Sequence, residues 1–246
     1  DLILHIISVL GVDGAIYKAL EFTGEAFKHI GMDGRFTIAN MAIEAGAKTG
    51  LIPADDITRR FMAKFPGKEG VCLNSDSDSE YSNIIEFEID TLEPLVAEPY
   101  LPSNARPVGE LSGQGVDQVV IGSCTNGRLD DFRAAARVMG EHPVHPNVRL
   151  IMIPGTPMLM RELLKEQLIE QFVKAGAVIS PPTCGPCIGG HMGVLAAGEV
   201  GLFTTNRNFK GRNGHPDSKV YLAGPEVAAA TAVTGRITDP RDLVNN

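Results

Sequence analysis

"QVVIGSCTNGRLDDFRAAARVMG", residues 118–140, carries the pattern that decides the fold. "QVVIGS" is a short apolar run closed by small residues, as a buried strand requires, and "DDFRAAARVMG" reads as a helix. Cys124 falls at the junction between them. The chain that follows repeats this alternation. "VRLIMIPG" reads as a strand, "MLMRELLKEQLIEQFVKAG" as one long helix, and "AVIS", "GLFTT" and "KVYLAG" as further strands. "PEVAAATAVTG" is a helix opened by Pro225. Strands and helices in this order predict an α/β layered fold with largely parallel sheets.

In such sheets ligands collect at the carboxyl ends of the strands. Cys124 follows "VVIGS", Cys184 and Cys187 follow "AVIS", and Asn206 and Arg207 follow "GLFTT". Three strand ends are therefore predicted to bring together three thiols and an arginine-bearing loop.

Working upstream, "EPLVAEPYLPSNARPVGELSGQG" from Glu93 holds four prolines and little periodicity, which marks a connection between two units. The boundary is placed there, giving α/β units at residues 1–92 and 93–246. Within the first unit, Leu2, Ile6, Val9 and Leu10 have helical spacing ended by Gly11. A second helix is predicted from Thr37 as N-cap through "IANMAIEAGAK", ending by Gly50. Asn40 and Glu44 then lie four apart on one helical face, a spacing that suits a solvated polar face as well as a site. "NSDSDSEYSN" lacks the glycine and distal glutamate of a calcium loop and reads as solvated. "NIIEFEID" alternates as a strand would.

The formal charge of −8 and pI near 5.3 argue against a nucleic-acid partner, because phosphate binding needs clustered Lys and Arg. A small acidic substrate needs only a few local arginines. With no run of eighteen apolar residues and no basic leader, the expectation is a soluble cytoplasmic protein with no membrane partner. Four cysteines are too few and too scattered for a disulfide framework, which leaves metal binding or catalysis.

"ISPPTCGPCIGG", residues 179–190, stiffens its two thiols with prolines and glycines in a turn that suits a ligand better than a core. A C-x2-C pair lets two thiolates reach one centre, and Cys124 can close on it from another loop. Cys72 stands apart beside the acidic loop and is expected to be a buried, inert thiol. Three thiolates favour an iron–sulfur cube keeping one iron without a protein thiolate, while a redox pair and half a zinc site remain open on spacing alone. In "TTNRNFKGRNG", Arg207 and Arg212 offer two guanidinium forks that match carboxylates, or that serve as ordinary surface ion pairs.

"IGSCTNGRLDDF", "CGPCIGG" and "TNRNFKGR", in this order, resemble the aconitase superfamily. "RFTIANMAIEAGAKTGLIPAD" and "NGHPDSKVYLAGPEVAAATAVTG" extend the likeness over nearly the whole chain. The form of "TNRNFKGR" and of the stretch after it resembles the branch that holds the large subunits of 3-isopropylmalate dehydratase and homoaconitase more than aconitase itself. The resemblance implies a [4Fe-4S] cluster on Cys124, Cys184 and Cys187. It implies active-site roles for Asn40 and Glu44, with Glu44 orienting an iron-bound hydroxyl or water, and substrate or cluster-environment roles for Asn206, Arg207 and Arg212. The implied activity is a hydro-lyase acting on a hydroxy di- or tricarboxylate, with a small subunit carrying the swivelling domain as partner. The superfamily's first domain has no counterpart in these residues, so a fragment that is inactive alone is expected. The rival of another class is a non-enzymatic module holding a cluster or zinc.

Overall fold

The computed structural model describes residues 1–65, 67 and 70–244. Helix α1 (Leu2–Leu10) ends at Gly11 as its spacing predicts. Strand β1 (Ala19–Glu21) pairs in parallel with β2 (Thr49–Leu51). Between them run a 3-10 turn at Glu25–Lys28, helix α2 (Met32–Met41) and a second 3-10 turn at Ala42–Ala45. Helix α2 starts five residues before Thr37, from Gly31. Thr37 is not its cap, because its hydroxyl lies inside the helix and bonds outward to Thr125 O at 2.9 Å. Asn40 thus sits on α2 and Glu44 on the following 3-10 turn, not on one regular helix.

Helix α3 (Asp56–Met62) is capped by Asp55, whose carboxylate also holds the buried guanidinium of Arg35 at 2.6 and 2.8 Å. Arg35 further donates to Phe27 O and Ile30 O, which ties α3 to the turn before α2. The strand expected at "NIIEFEID" is absent: residues 84–89 form no ladder. The alternation is used by an extended segment in which Phe87 packs edge-on against His5 while Ile84 and Ile85 stay exposed. Cys72, upstream of this segment, is exposed rather than buried, and it belongs to neither core.

The remaining elements build one seven-stranded sheet in the order β4-β3-β9-β8-β5-β6-β7. Its strands are β3 (Leu95–Ala97), β4 (Ala105–Pro107), β5 (Gln118–Gly122), β6 (Arg149–Ile153), β7 (Val178–Ile179), β8 (Val200–Phe203) and β9 (Lys219–Ala223). Helices α4 (Val108–Leu111), α5 (Ser123–Asn126), α6 (Leu129–Met139), α7 (Pro157–Lys165), α8 (Leu168–Ala175), α9 (Pro225–Thr234) and α10 (Arg241–Val244) alternate with them. The five strands from β5 to β9 run parallel, as predicted. The proline-rich stretch expected as a mere connection supplies β3 and β4, an antiparallel pair on the sheet's edge. Pro107 is tolerated there because an edge strand has one side that needs no N–H.

Burial along the strands alternates and fixes two cores. Val119, Ile121, Leu150, Met152 and Tyr221 face α6, α8 and α9. Val120, Ile151, Ile153, Phe203, Val220 and Leu222 share a core with Ile3, Ile7, Ile38 and Met41 of α1 and α2. Residues on both sides of position 92 therefore contribute to one core. The long helix expected after β6 is broken at Gln167, which turns left-handed at φ 60°. Leu163 and Phe172 are both fully buried in the first core. Nine positions apart, they would point half a turn away from each other on one straight helix. The break puts both on the same side. No helix among the described residues is long and apolar enough to cross a membrane.

Candidate active site

After β5 the chain moves outward through β6 and β7, then returns to the other side of β5 as β8 and β9. The strand order reverses between β5 and β8, and the crevice at such a reversal is where open parallel sheets bind ligands. Cys124 and Thr125 follow β5, and Thr204 to Arg207 follow β8. Gly122 has φ 125° and Ser123 φ 69°, a left-handed pair that folds the strand sharply into α5. A Cβ on Gly122 would strike Ile153 O of the neighbouring strand, so only glycine lets β5 and β6 end side by side here.

The predicted polar residues meet directly. Arg207 Nε donates to Glu44 Oε1 at 2.7 Å, and Asn206 Nδ2 donates to the same oxygen at 3.4 Å. Asn40 Nδ2 donates to Asn206 Oδ1 at 3.2 Å and to Thr125 Oγ1 at 3.1 Å. Glu44 is only 3% exposed. Burial raises its carboxyl above the usual range, while the Arg207 hydrogen bond and charge, then Asn206 and Arg212, pull the other way. A carboxyl balanced between these influences keeps its proton more readily than a free one.

Arg212 joins the site through its main-chain surroundings: its Nε donates to Cys187 O at 2.7 Å. Gly189, at φ 69°, leaves room for this, since a Cβ there would stand 2.9 Å from Arg212 O. Both arginines are thus anchored through Nε. Among the described residues neither Nη of Arg207 or Arg212 has a protein partner, so two forks are left for an anion.

All three predicted cysteine ligands are free thiols; Cys124 and Cys184 are exposed and Cys187 is buried. Burial raises the Cys187 thiol, with Cys124 and Cys184 adding to the rise, while Arg212 and the main-chain N–H of Asn206 oppose it. The three thiols are near enough to be felt at one sulfur. Among the described residues, no three His, Cys, Asp or Glu side chains close around a point that one metal ion could occupy.

The sequence reading passed over Thr125 and Thr204, whose hydroxyls, with that of Thr37, stitch these loops together. Thr204 Oγ1 accepts from Gly122 N at 2.9 Å, and Asn126 Nδ2 donates to Thr204 O at 2.6 Å. Their one visible signal was a polar run, "SCTNG" and "TTNRN", directly after an apolar strand.

The family model for the aconitase family (aconitate hydratase) matches residues 1–113 and 108–235. The chain is 53% identical over 243 residues to the 3-isopropylmalate dehydratase large subunit of Heliobacterium modesticaldum. It is 55% identical over 244 residues to that of Moorella thermoacetica, and 56% identical over 246 residues to that of Thermodesulfovibrio yellowstonii. In each case the match covers 99% of this chain and 58% of the relative. With both the cysteine loops and the Asn40–Glu44 segment inside the matched residues, the chain belongs to the aconitase family.

Proposed function

We propose that these residues are the cluster-bearing part of a hydro-lyase that interconverts 2- and 3-isopropylmalate in leucine biosynthesis. The observation that carries it is the direct bonding of Asn40, Glu44, Asn206 and Arg207 beside three free thiols at the sheet's reversal point. The names of the relatives select the substrate: all those compared are large subunits of 3-isopropylmalate dehydratase. Cys124, Cys184 and Cys187 would hold a [4Fe-4S] cluster, which when bound supplies a Lewis-acidic iron lacking a protein thiolate. The free Nη groups of Arg207 and Arg212 grip the carboxylates of the hydroxy acid and set its orientation. Glu44, kept protonatable by burial and steered by Asn206, holds or releases the proton that accompanies loss and return of the hydroxyl. Asn40 fixes the amide of Asn206. The proton at the adjacent carbon also needs a base. The remaining length of the relatives and a small subunit are the proposed suppliers, and residues 1–92 and 93–246 the proposed units on this side.

The test is anaerobic reconstitution with iron and sulfide on this chain and on Cys124→Ser. The expected result is about four irons and four sulfides per chain, with a cubane spectrum that the variant loses. Stoichiometric zinc, or a spectrum unchanged in the variant, would overturn the assignment. Joined to the remaining length of such a large subunit and to a small subunit, the loaded protein is expected to isomerise isopropylmalate in preference to homocitrate or a methylmalate.

A further inference from the structure

Thr125 follows Cys124 directly, is fully buried, and lies at the centre of the site's hydrogen bonds without a role in binding carboxylate or metal. Its hydroxyl donates to Asn206 Oδ1 and accepts from Asn40 Nδ2 at 3.1 Å. With its one proton given to Asn206 Oδ1, the hydroxyl is an acceptor toward Asn40 Nδ2 and toward Cys124 Sγ, 3.9 Å away. Asn40 gives to Thr125, Thr125 gives to Asn206, and Asn206 gives to Glu44 Oε1 at 3.4 Å. With Oδ1 of Asn206 held by Thr125 and Asn40, its Nδ2 is turned toward the carboxylate; an amide rotated by half a turn would present its oxygen to Glu44 instead. The main chain of Thr125 is fixed as well. Its carbonyl accepts from Thr37 Oγ1 at 2.9 Å, and that hydroxyl also reaches Asn126 Oδ1 at 3.3 Å. Thr37 and Asn40 are one turn apart on α2, so a single helix face grips the loop that bears Cys124.

We propose that Thr125 is a positioning residue whose hydroxyl sets the direction of a donor chain ending on Glu44 and locks helix α2 to the Cys124 loop. Its part in the reaction rests on the hydro-lyase reading above; the donor chain does not. Bonds in series polarise one another, so loss of the middle hydroxyl weakens both neighbours and frees the Asn206 amide to turn.

The experiment is solution NMR of the side-chain amides of Asn40 and Asn206 in the chain without cluster, compared with Thr125→Val and Thr125→Ser. Valine keeps the shape and removes the hydroxyl; serine keeps the hydroxyl and removes the methyl. The expected result is that exchange of the Asn206 Nδ2 protons accelerates about tenfold in Thr125→Val and returns toward the parent value in Thr125→Ser. Unaltered amide shifts and exchange in Thr125→Val would overturn the proposal. So would a serine variant that behaves like valine, because the methyl packing would then be what matters. Should Thr125→Val not fold, the parent chain decides. A slowly exchanging Thr125 hydroxyl proton with a cross-peak to Asn206 supports the chain of bonds, and a freely exchanging one without it refutes it. None of these readouts needs a cluster, so failed reconstitution counts against the hydro-lyase reading alone.

Discussion

Glu44 shows how little a single residue's chemistry owes to its own identity. Its carboxyl is raised by burial and restrained chiefly by Arg207, whose Nε is 2.7 Å away. Removing a partner from a buried pair leaves the other charge uncompensated, and the group neutralises instead. In Arg207→Ala, Glu44 is therefore expected to remain protonated to a higher pH than in the parent chain. The carboxyl carbon resonance of Glu44 followed through a pH titration checks this, and a midpoint that falls would contradict it. The sequence showed Asn40 and Glu44 four apart and Arg207 in a basic loop. It could not show that they touch, because the contact spans 163 positions.

At the scale of elements, the turn from β5 into α5 depends on the backbone more than on side chains. Gly122 combines φ 125° with a position where any Cβ meets Ile153 O. Gly122→Ala must distort either the β5–β6 pairing or the turn that presents Cys124, and a loss of at least about 3 kcal/mol is expected. Urea unfolding measures that loss, and alkylation rates at Cys124 relative to Cys184 report the displaced turn. Elements were legible where burial has a simple period: β5, β6, β9, α6 and α9 all lie where their patterns put them. The failures have a common physical cause. Thr37 looked like a cap because its hydroxyl could bond locally, yet it bonds across to Thr125. "NIIEFEID" alternates but has no strand edge to meet, whereas "LVA", framed by prolines, does.

For the whole molecule, the clearest pH dependence comes from Asp131, in the first turn of α6. Burial, aided by Asp33 and Asp130, pushes its carboxyl up to about 7, against the bond from Arg128 N at 3.0 Å. The folded state therefore holds a proton that the unfolded chain has released above its ordinary value of 3.8. Stability from this group is fully present below that value, falls as pH rises toward about 7, and is level beyond it. Asp131→Asn, which keeps an acceptor for Arg128 N, is expected to flatten the dependence and to be more stable than the parent chain at pH 8. Unfolding free energies at pH 5 and pH 8 for both chains check it.

The sequence by itself determined the α/β class, the parallel strands and the loops on which the thiols, Asn206 and Arg207 sit. Strand and helix periods and turn residues act within a few positions of one another, and a linear pattern records them. Only the tertiary structure decided that α1 and α2 close the second face of the sheet, that the long helix breaks at Gln167, and that Thr125 sits between Asn40 and Asn206. Those outcomes follow from contacts between residues tens to more than a hundred positions apart. Which buried donor finds which acceptor there is set by the packing of whole elements, and local pattern carries no record of it.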